Sequence, residues 1–154
     1  MIGTDNVLEW VISLTRMTGV VDQVIESESV QPATPGSLIA VVHPIDVLPA
    51  RKTSGQATTS VVIGVAVHLA IQAPSTPLSP IDRRLTRAVD KFLELANADI
   101  EGSDDPAGWT DLYGIEGRSM TVTFGWIPTE NGVLFRSAEI VIPVIVPNAY
   151  TQSL

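Results

Sequence analysis

The clearest hydrophobic pattern in the sequence is a two-residue alternation from Val61 to Ile71. Every odd position in this segment is a large aliphatic residue, whereas the even positions are mostly small or polar and include His68. Side chains alternate between the two faces of a strand, so this pattern predicts a long strand with one bulky, buried face. Residues 119–127 and 137–146 alternate in the same way and are also predicted to be strands.

Two segments have the apolar spacing of amphipathic helices. From Asp5 to Met17 the apolar residues form one stripe, and Gly19 is predicted to end this helix. A second helix is predicted to begin at Ser79, which serves as its cap, with Pro80 at the first helical position. Residues 20–30 show no clear period and are predicted to be coil.

Prolines divide the remaining strands. Residues 38–43 are predicted to be a buried strand ended by Pro44, and a polar connection is predicted over residues 49–59. Pro143 cannot donate to a ladder, so the last strand is predicted to be an edge strand. Residues 147–150 are predicted to be an exposed tail.

The resulting order of elements is α-ββ-α-ββ, which predicts a single α+β domain over residues 1–154. The simplest arrangement is one antiparallel sheet of two hairpins, with two helices packed on one face. The Thr-Glu-Asn-Gly sequence at residues 129–132 is typical of a hairpin turn and closes the second pair of strands.

Composition narrows the possible functions. The chain has 9 basic and 17 acidic residues and a net charge of −8, which argues against binding a phosphate backbone. The absence of cysteine excludes disulfides, thiolate metal sites and cysteine nucleophiles. The longest apolar stretch is far shorter than the roughly 20 residues that span a bilayer, so no membrane partner is predicted. The 45% hydrophobic content indicates either an aliphatic-rich core or apolar surface reserved for neighbouring subunits.

Candidate chemistry is sparse. His43 and His68 would approach one another if their strands pair as a hairpin, and a metal or general-base role is conceivable, but packing on a sheet face or at a subunit contact is the commoner use of such histidines. The acidic loop does not match the spacing of a calcium loop; its acids are Asp99, Glu101, Asp104, Asp105 and Asp111. No nucleophile elbow, phosphate-binding glycine loop or zinc-protease helix is present, so we predict no enzyme activity, metal or cofactor.

Several segments, taken in their order along the chain, resemble those of a known protein family. They are the short N-terminal helix, a proline-rich approach to the strand at 37–42, the long strand from Val61 to Gln72, the helix from Pro80 to Ala98, and a loop holding Trp109 before the final strands. In the order of these elements and in their residue patterns, the chain resembles the tail terminator proteins of long-tailed, siphovirus-type bacteriophages over most of its length.

The resemblance implies a structural protein of the virion tail or neck that is assembled in the host cytoplasm. Such proteins form a ring, usually hexameric, that caps the tail tube, stops its polymerisation and offers a joining surface to the head-connector or neck proteins. Each subunit of such a ring contacts a different surface of the next subunit. DNA passes through the lumen without specific binding, and an acidic wall would let it slide.

Five residues are predicted to contact the tube or a neighbouring subunit: Arg51, Lys52, Asn131, Pro143 and Tyr150. Three alternatives remain open from the sequence. The chain is a head-closure or neck protein of the connector, a small α+β binding module unrelated to phage, or an enzyme that uses dispersed carboxylates with shifted pKa values.

Overall fold

The structure is a computed structural model that describes residues 4–26, 37–50, 58–72, 79–98, 120–128, 132 and 134–151. Over these ranges the chain forms two helices and five strands. In chain order they are α1 (Thr4–Met17), β1 (Gln23–Glu26), β2 (Leu38–Ala50), β3 (Thr58–Gln72), α2 (Ser79–Ala98), β4 (Thr121–Pro128) and β5 (Leu134–Thr151). Both predicted helices are present, and the assignment to the α+β class is confirmed.

The strand with the clearest alternation, β3, lies at the centre of a five-stranded sheet with the order β1-β2-β3-β5-β4. β2 and β5 both run antiparallel to β3, and β4 runs antiparallel to β5. The predicted pairings of β2 with β3 and of β4 with β5 are therefore present. Pairing of β3 with β5 joins the two pairs into one sheet.

Both helices pack on one face of this sheet. The odd-numbered residues of β3 form a buried cluster with alternate residues of β2 and β5 and with the apolar stripes of the helices. Val11 of α1 and Leu85 and Phe92 of α2 are fully buried in it. Burying a side chain of this size contributes roughly 1.5–3 kcal/mol. We call this side the helix face.

The end of α1 follows the sequence signals. The Thr15 hydroxyl donates to the Val11 carbonyl at 2.7 Å, and the Thr18 hydroxyl donates to the Thr15 carbonyl at 2.7 Å. Gly19 then takes a positive φ of 69°, a conformation that glycine adopts without the steric cost of a Cβ. The prediction that Gly19 ends the helix is confirmed.

The prediction of coil for residues 20–30 is wrong over residues 23–26, which form β1. β1 runs parallel to β2, so the sheet is mixed and the predicted α-ββ-α-ββ order lacks one strand. Asp22 sets up this pairing, because its N–H donates to the Leu38 carbonyl and its carboxylate accepts the Leu38 N–H, both at 2.8 Å. Arg84 of α2 donates to the same carboxylate at 3.0 Å. A strand this short has too little alternation to be recognised without its partner.

The prediction that Pro44 ends its strand is also wrong. β2 continues to residue 50 and stays paired with β3. A register shift between Pro44 and Asp46 leaves Ile45 without a partner in the ladder, which is the signature of a β-bulge. The bulge accommodates a proline that cannot donate, and the strand resumes beyond it. The polar connection is correspondingly shorter than the predicted 49–59, because β3 begins at residue 58.

Over residues 134–141 β5 is an interior strand and not the predicted edge strand, because β3 pairs on one side of it and β4 on the other; beyond residue 141 only its pairing with β3 is described. Pro143 lies opposite Gly64 of β3. The ladder with β4 reaches only as far as the pair Thr121 and Val141, so Pro143 lies past the last described pair on that side. Its missing N–H therefore removes no bond from the described ladder with β4.

Three strands extend past β1 and β4 as a narrower sheet, which we call the arm. It comprises residues 44–50 of β2, 58–65 of β3 and 142–151 of β5. The prediction of an exposed tail at residues 147–150 is wrong, since the backbone of β5 continues through them and Tyr150 pairs with Thr59. At roughly 3.3 Å per residue the arm is about 26 Å long.

Candidate interaction surfaces and a histidine pair

Only two of the five predicted contact residues belong to the described part of the chain. Pro143 is buried on the arm, and Tyr150 lies further along the same strand. Arg51, Lys52 and Asn131 lie outside the described residues, as does the acidic loop from Asp99 to Asp111. The contact roles of all five residues stay predictions.

The arm carries exposed aliphatic side chains that the sequence analysis did not single out. Ile45, Val47 and Leu48 are 47%, 39% and 44% exposed, and we call them the arm patch. Val47 lies opposite Ile63 and Leu48 opposite Val62, so these two side chains point to opposite faces of β2. In the described part of the chain, β1 pairs only with residues 39–42, so the outer edge of β2 beside the arm patch has no described strand next to it.

A second group of exposed apolar side chains lies at the other edge of the sheet. Phe124, Trp126 and Leu134 are 45%, 41% and 42% exposed, and we call them the β4 patch. Phe124 lies opposite Ala138, which is buried on the helix face, so the patch belongs to that face. The helices cover the middle of the sheet and leave this margin exposed.

Arg136 holds Trp126 in place at the border between covered and exposed surface. Its Nε donates to the Asp82 carboxylate of α2 at 2.9 Å, and its terminal nitrogen donates to the Gly125 carbonyl at 3.0 Å. The same guanidinium lies over the Trp126 ring, 5.1 Å from the ring centroid. The charge-assisted hydrogen bonds therefore fix the guanidinium, and cation–π attraction orients the indole against it.

The two patches lie at opposite corners of the sheet. β2 and β4 are three strand spacings apart, which is about 14 Å at the usual separation. Along the strand direction, Val47 of the arm patch lies opposite Ile63 of β3. Trp126 lies opposite Arg136 of β5, which in turn lies opposite Ile71 of β3. Ile63 and Ile71 are eight residues apart (71 − 63), or about 26 Å along the strands.

The pairing of β2 with β3 brings His43 and His68 together on the face away from the helices. His43 lies opposite Ala66 and His68 opposite Val41, so the two imidazoles are diagonal neighbours. Their Nε2 atoms are 3.2 Å apart. The rings are nearly parallel, with an interplanar angle of 11° and centroids 5.2 Å apart. The expectation that hairpin pairing brings the histidines together is confirmed.

Each imidazole also has a neighbour at its other nitrogen. His43 Nδ1 is 3.1 Å from the Pro44 carbonyl oxygen. His68 Nδ1 is 3.7 Å from the Glu139 carboxylate, because Glu139 lies directly opposite His68 in the register of β3 and β5. Glu139 could not be predicted from the sequence, since no spacing along the chain relates it to His68.

Burial of His68 lowers the pKa of its imidazole below the ordinary value of 6.5. The Glu139 carboxylate opposes this shift, and the nearby His43 adds to it. The neutral imidazole is therefore favoured at neutral pH. A neutral imidazole keeps a lone pair that can accept a proton or bind a metal ion.

Within the described ranges no group of three or more His, Asp or Glu side chains is arranged to hold a metal ion. No helix in the described part of the chain is long and apolar enough to cross a membrane. No protein-family model matches the sequence, and comparison with curated proteins finds no match.

Proposed function

We propose that this chain is a structural subunit that assembles head-to-tail into a closed ring, and that the ring is the tail terminator of a long-tailed bacteriophage. The main support for head-to-tail assembly is the presence of two different apolar patches at opposite corners of one sheet. A two-fold dimer needs one self-complementary surface, whereas a ring needs two different surfaces that meet on successive subunits.

In this proposal the β4 patch of one subunit packs against the arm patch of the next on the side of Val47, which lies opposite Ile63 of the helix face. Phe124 and Trp126 are the anchors, because aromatic side chains supply large contact areas and are enriched among residues that dominate binding energy. Arg136 already orients Trp126, so little side-chain entropy is lost when the contact forms. The arm patch offers aliphatic surface beside an edge of β2 that has no described neighbour, a feature that partners commonly cover.

The phage role rests on the resemblance in the order and texture of the elements. In that role the ring caps the tail tube on one side and binds head-connector proteins on the other, within the virion. The net charge of −8 supports a lumen through which DNA passes without being held. The proposed function is structural and assigns no catalytic residue.

Mixing two interface variants tests the head-to-tail contact. Val47→Asp disables the arm patch, Phe124→Asp disables the β4 patch, and Ser13→Asp on the exposed side of α1 is the charge-matched control. Multi-angle light scattering over a concentration series measures the mass of each. The unchanged chain and the control should give a species near the mass of a hexamer of the 16.4 kDa chain, or should do so once tail tubes are added.

Each patch variant alone should be monomeric, and an equal mixture of the two should form a dimer, because one intact contact remains between unlike variants. A two-fold contact made by one patch gives a different result: the variant of the other patch keeps its dimer by itself, and mixing changes nothing. That second result would overturn the ring.

Purified tail tubes and connectors test the phage role separately. We expect the unchanged chain to bind one end of tail tubes in negative-stain images, and Phe124→Asp to lose this binding together with the ring. Rings that ignore tubes and bind only connectors would replace the terminator with a head-closure protein. Rings that bind neither would remove the phage role and leave the head-to-tail assembly intact.

A further inference from the structure

We propose that His43 and His68 form a binding site for a divalent transition-metal ion of the zinc class, with the two Nε2 atoms as its protein ligands. The site lies on the face of the sheet away from the helices and does not depend on ring formation. It departs from the expectation, drawn from the sequence, that the chain holds no metal.

The positions of the protons on the two rings are compatible with either a shared proton or a cation between the two Nε2 atoms. A carbonyl oxygen only accepts, so His43 Nδ1 carries the proton in its contact with Pro44, and the Nε2 of a neutral His43 is a bare lone pair. Neutral His68 has two choices. With its proton on Nε2, His68 donates to His43, and a lone pair on Nδ1 faces the Glu139 carboxylate at 3.7 Å. With its proton on Nδ1, the N–H faces that carboxylate from beyond hydrogen-bond distance, and two bare Nε2 atoms lie 3.2 Å apart.

A single cation between the two Nε2 atoms is the alternative to a shared proton. Both rings then carry their protons on Nδ1, with His43 donating to the Pro44 carbonyl and His68 facing the Glu139 carboxylate. A carbonyl or carboxylate on the far nitrogen is the usual second partner of a metal-binding histidine, because it sets the tautomer and the ring orientation. The contact of His43 with the Pro44 carbonyl has this arrangement, and the Glu139 carboxylate lies 3.7 Å from the corresponding nitrogen of His68.

The distance between the nitrogens fits an ion of this class. Zinc binds histidine nitrogen at about 2.0–2.1 Å in tetrahedral geometry, which places two adjacent ligands about 3.3 Å apart. The observed separation of the Nε2 atoms is 3.2 Å. The His68 side chain keeps 18% of its surface exposed, so an ion can enter from solvent and water can complete its coordination.

Ligand chemistry selects the ion. Imidazole nitrogen suits zinc, copper and nickel, whereas magnesium and calcium prefer oxygen. Glu139 is a positioning residue, since its carboxylate lies at the far nitrogen of His68 and not beside the two Nε2 atoms.

Calorimetric titration of the full chain with zinc chloride tests the site. We expect one ion per chain at neutral pH, no binding of magnesium, and at least a tenfold loss of affinity in either His43→Gln or His68→Gln. Glu139→Gln should weaken binding about tenfold, as loss of such a partner commonly does. Glu94→Gln, which removes the same charge from the exposed side of α2, should bind as the unchanged chain does.

Nitrogen-15 spectra of the imidazoles give a second measurement that does not depend on the variants. The chain has only two histidines, so their ring signals are readily assigned. Zinc should shift both Nε2 signals far more than both Nδ1 signals. Ring signals that move with pH but not with zinc would show a bridging proton only and overturn the proposal. Zinc binding that persists in the double variant His43→Gln/His68→Gln would place the ion on carboxylates and also overturn it.

Discussion

The two faces of the sheet are built from the same strands but are held together differently. On the helix face, the odd residues of β3 join both helices in one large aliphatic cluster. On the opposite face the buried cluster is small, consisting of Ile39, Val41, Ala70 and Phe135, and the histidine pair lies beside it. Apolar burial is non-directional, so the helix face needs only the right pattern of side chains. The histidine face needs particular atoms to meet, so it depends on strand register.

The largest expected effect compares two fully buried phenylalanines, one on each face. Phe92→Ala on the helix face should lower the free energy of unfolding by about 3–5 kcal/mol, because it removes the ring and leaves a cavity among closely packed neighbours. Phe135→Ala should cost about 3 kcal/mol, at the lower end, since its partners Ile25 and Ile127 are only partly buried and can relax. Urea denaturation measures both. A larger cost at Phe135 would show that the small cluster is the tighter one.

Substitutions at the margin of the helix face should lower the free energy of unfolding by less than Phe92→Ala does. Arg136→Met removes the donors to Asp82 and to the Gly125 carbonyl and should cost about 1–2 kcal/mol in the same denaturation experiment. Arg136→Lys should recover only part of this loss, because an ammonium cannot reproduce the fork of the guanidinium. Lys91→Met, which breaks an exposed pair within α2, should change the free energy of unfolding by about 0.5 kcal/mol or less. Equal decreases in the free energy of unfolding for Arg136→Met and Lys91→Met would show that the contacts of Arg136 do not stabilise the fold.

The smallest expected effect is the loss of stability at low pH that Asp22 causes, at the point where β1 joins the sheet. The Leu38 N–H, followed by the Arg84 guanidinium, holds the pKa of Asp22 below its ordinary value of 3.8, although partial burial opposes the shift. A carboxyl with a depressed folded-state pKa adds stability that is fully present above the unfolded-state pKa. That stability is lost as the pH falls through the folded-state pKa.

The unchanged chain should therefore be more stable than Asp22→Asn at pH 7, and the difference should narrow as the pH falls below about 4. Asp90→Asn, an exposed carboxylate on α2, is the charge-matched control. Urea midpoints at stepped pH values measure both. A difference between Asp22→Asn and the unchanged chain that stays constant down to pH 2 would contradict the linkage.

Elements with many residues of consistent pattern were predictable, and elements defined by a partner were not. α2 begins at the predicted Ser79, because a capping serine followed by proline signals a helix start locally. β3 contains the whole predicted segment 61–71. β1 has only four residues and exists because β2 and Asp22 pair with it, so its own sequence carries little signal. The edge assignment of β5 failed for a similar reason, since Pro143 requires only that its own position lie past the end of β4.

The residues of the candidate sites also divide into those that the sequence predicts and those that depend on pairing between distant strands. The meeting of His43 and His68 followed from hairpin pairing and was predictable on that condition. Glu139 was not, since it reaches His68 through the pairing of strands that are distant in sequence. The alternation that includes Phe124 and Trp126 was visible, but a strand face has the same pattern whether a helix or another subunit covers it.

The sequence by itself determined the two helices, the central strand, the apolar side of each and the acidic charge. These follow from local periodicity, capping and composition, which act between residues near one another in the chain. Only the tertiary structure decided the parallel edge strand, the bulge at Pro44, the arm, the exposure of the two patches and the neighbours of the histidines. Each of these depends on register and coverage between distant segments, and a shift of one residue in register would turn every such side chain to the other face.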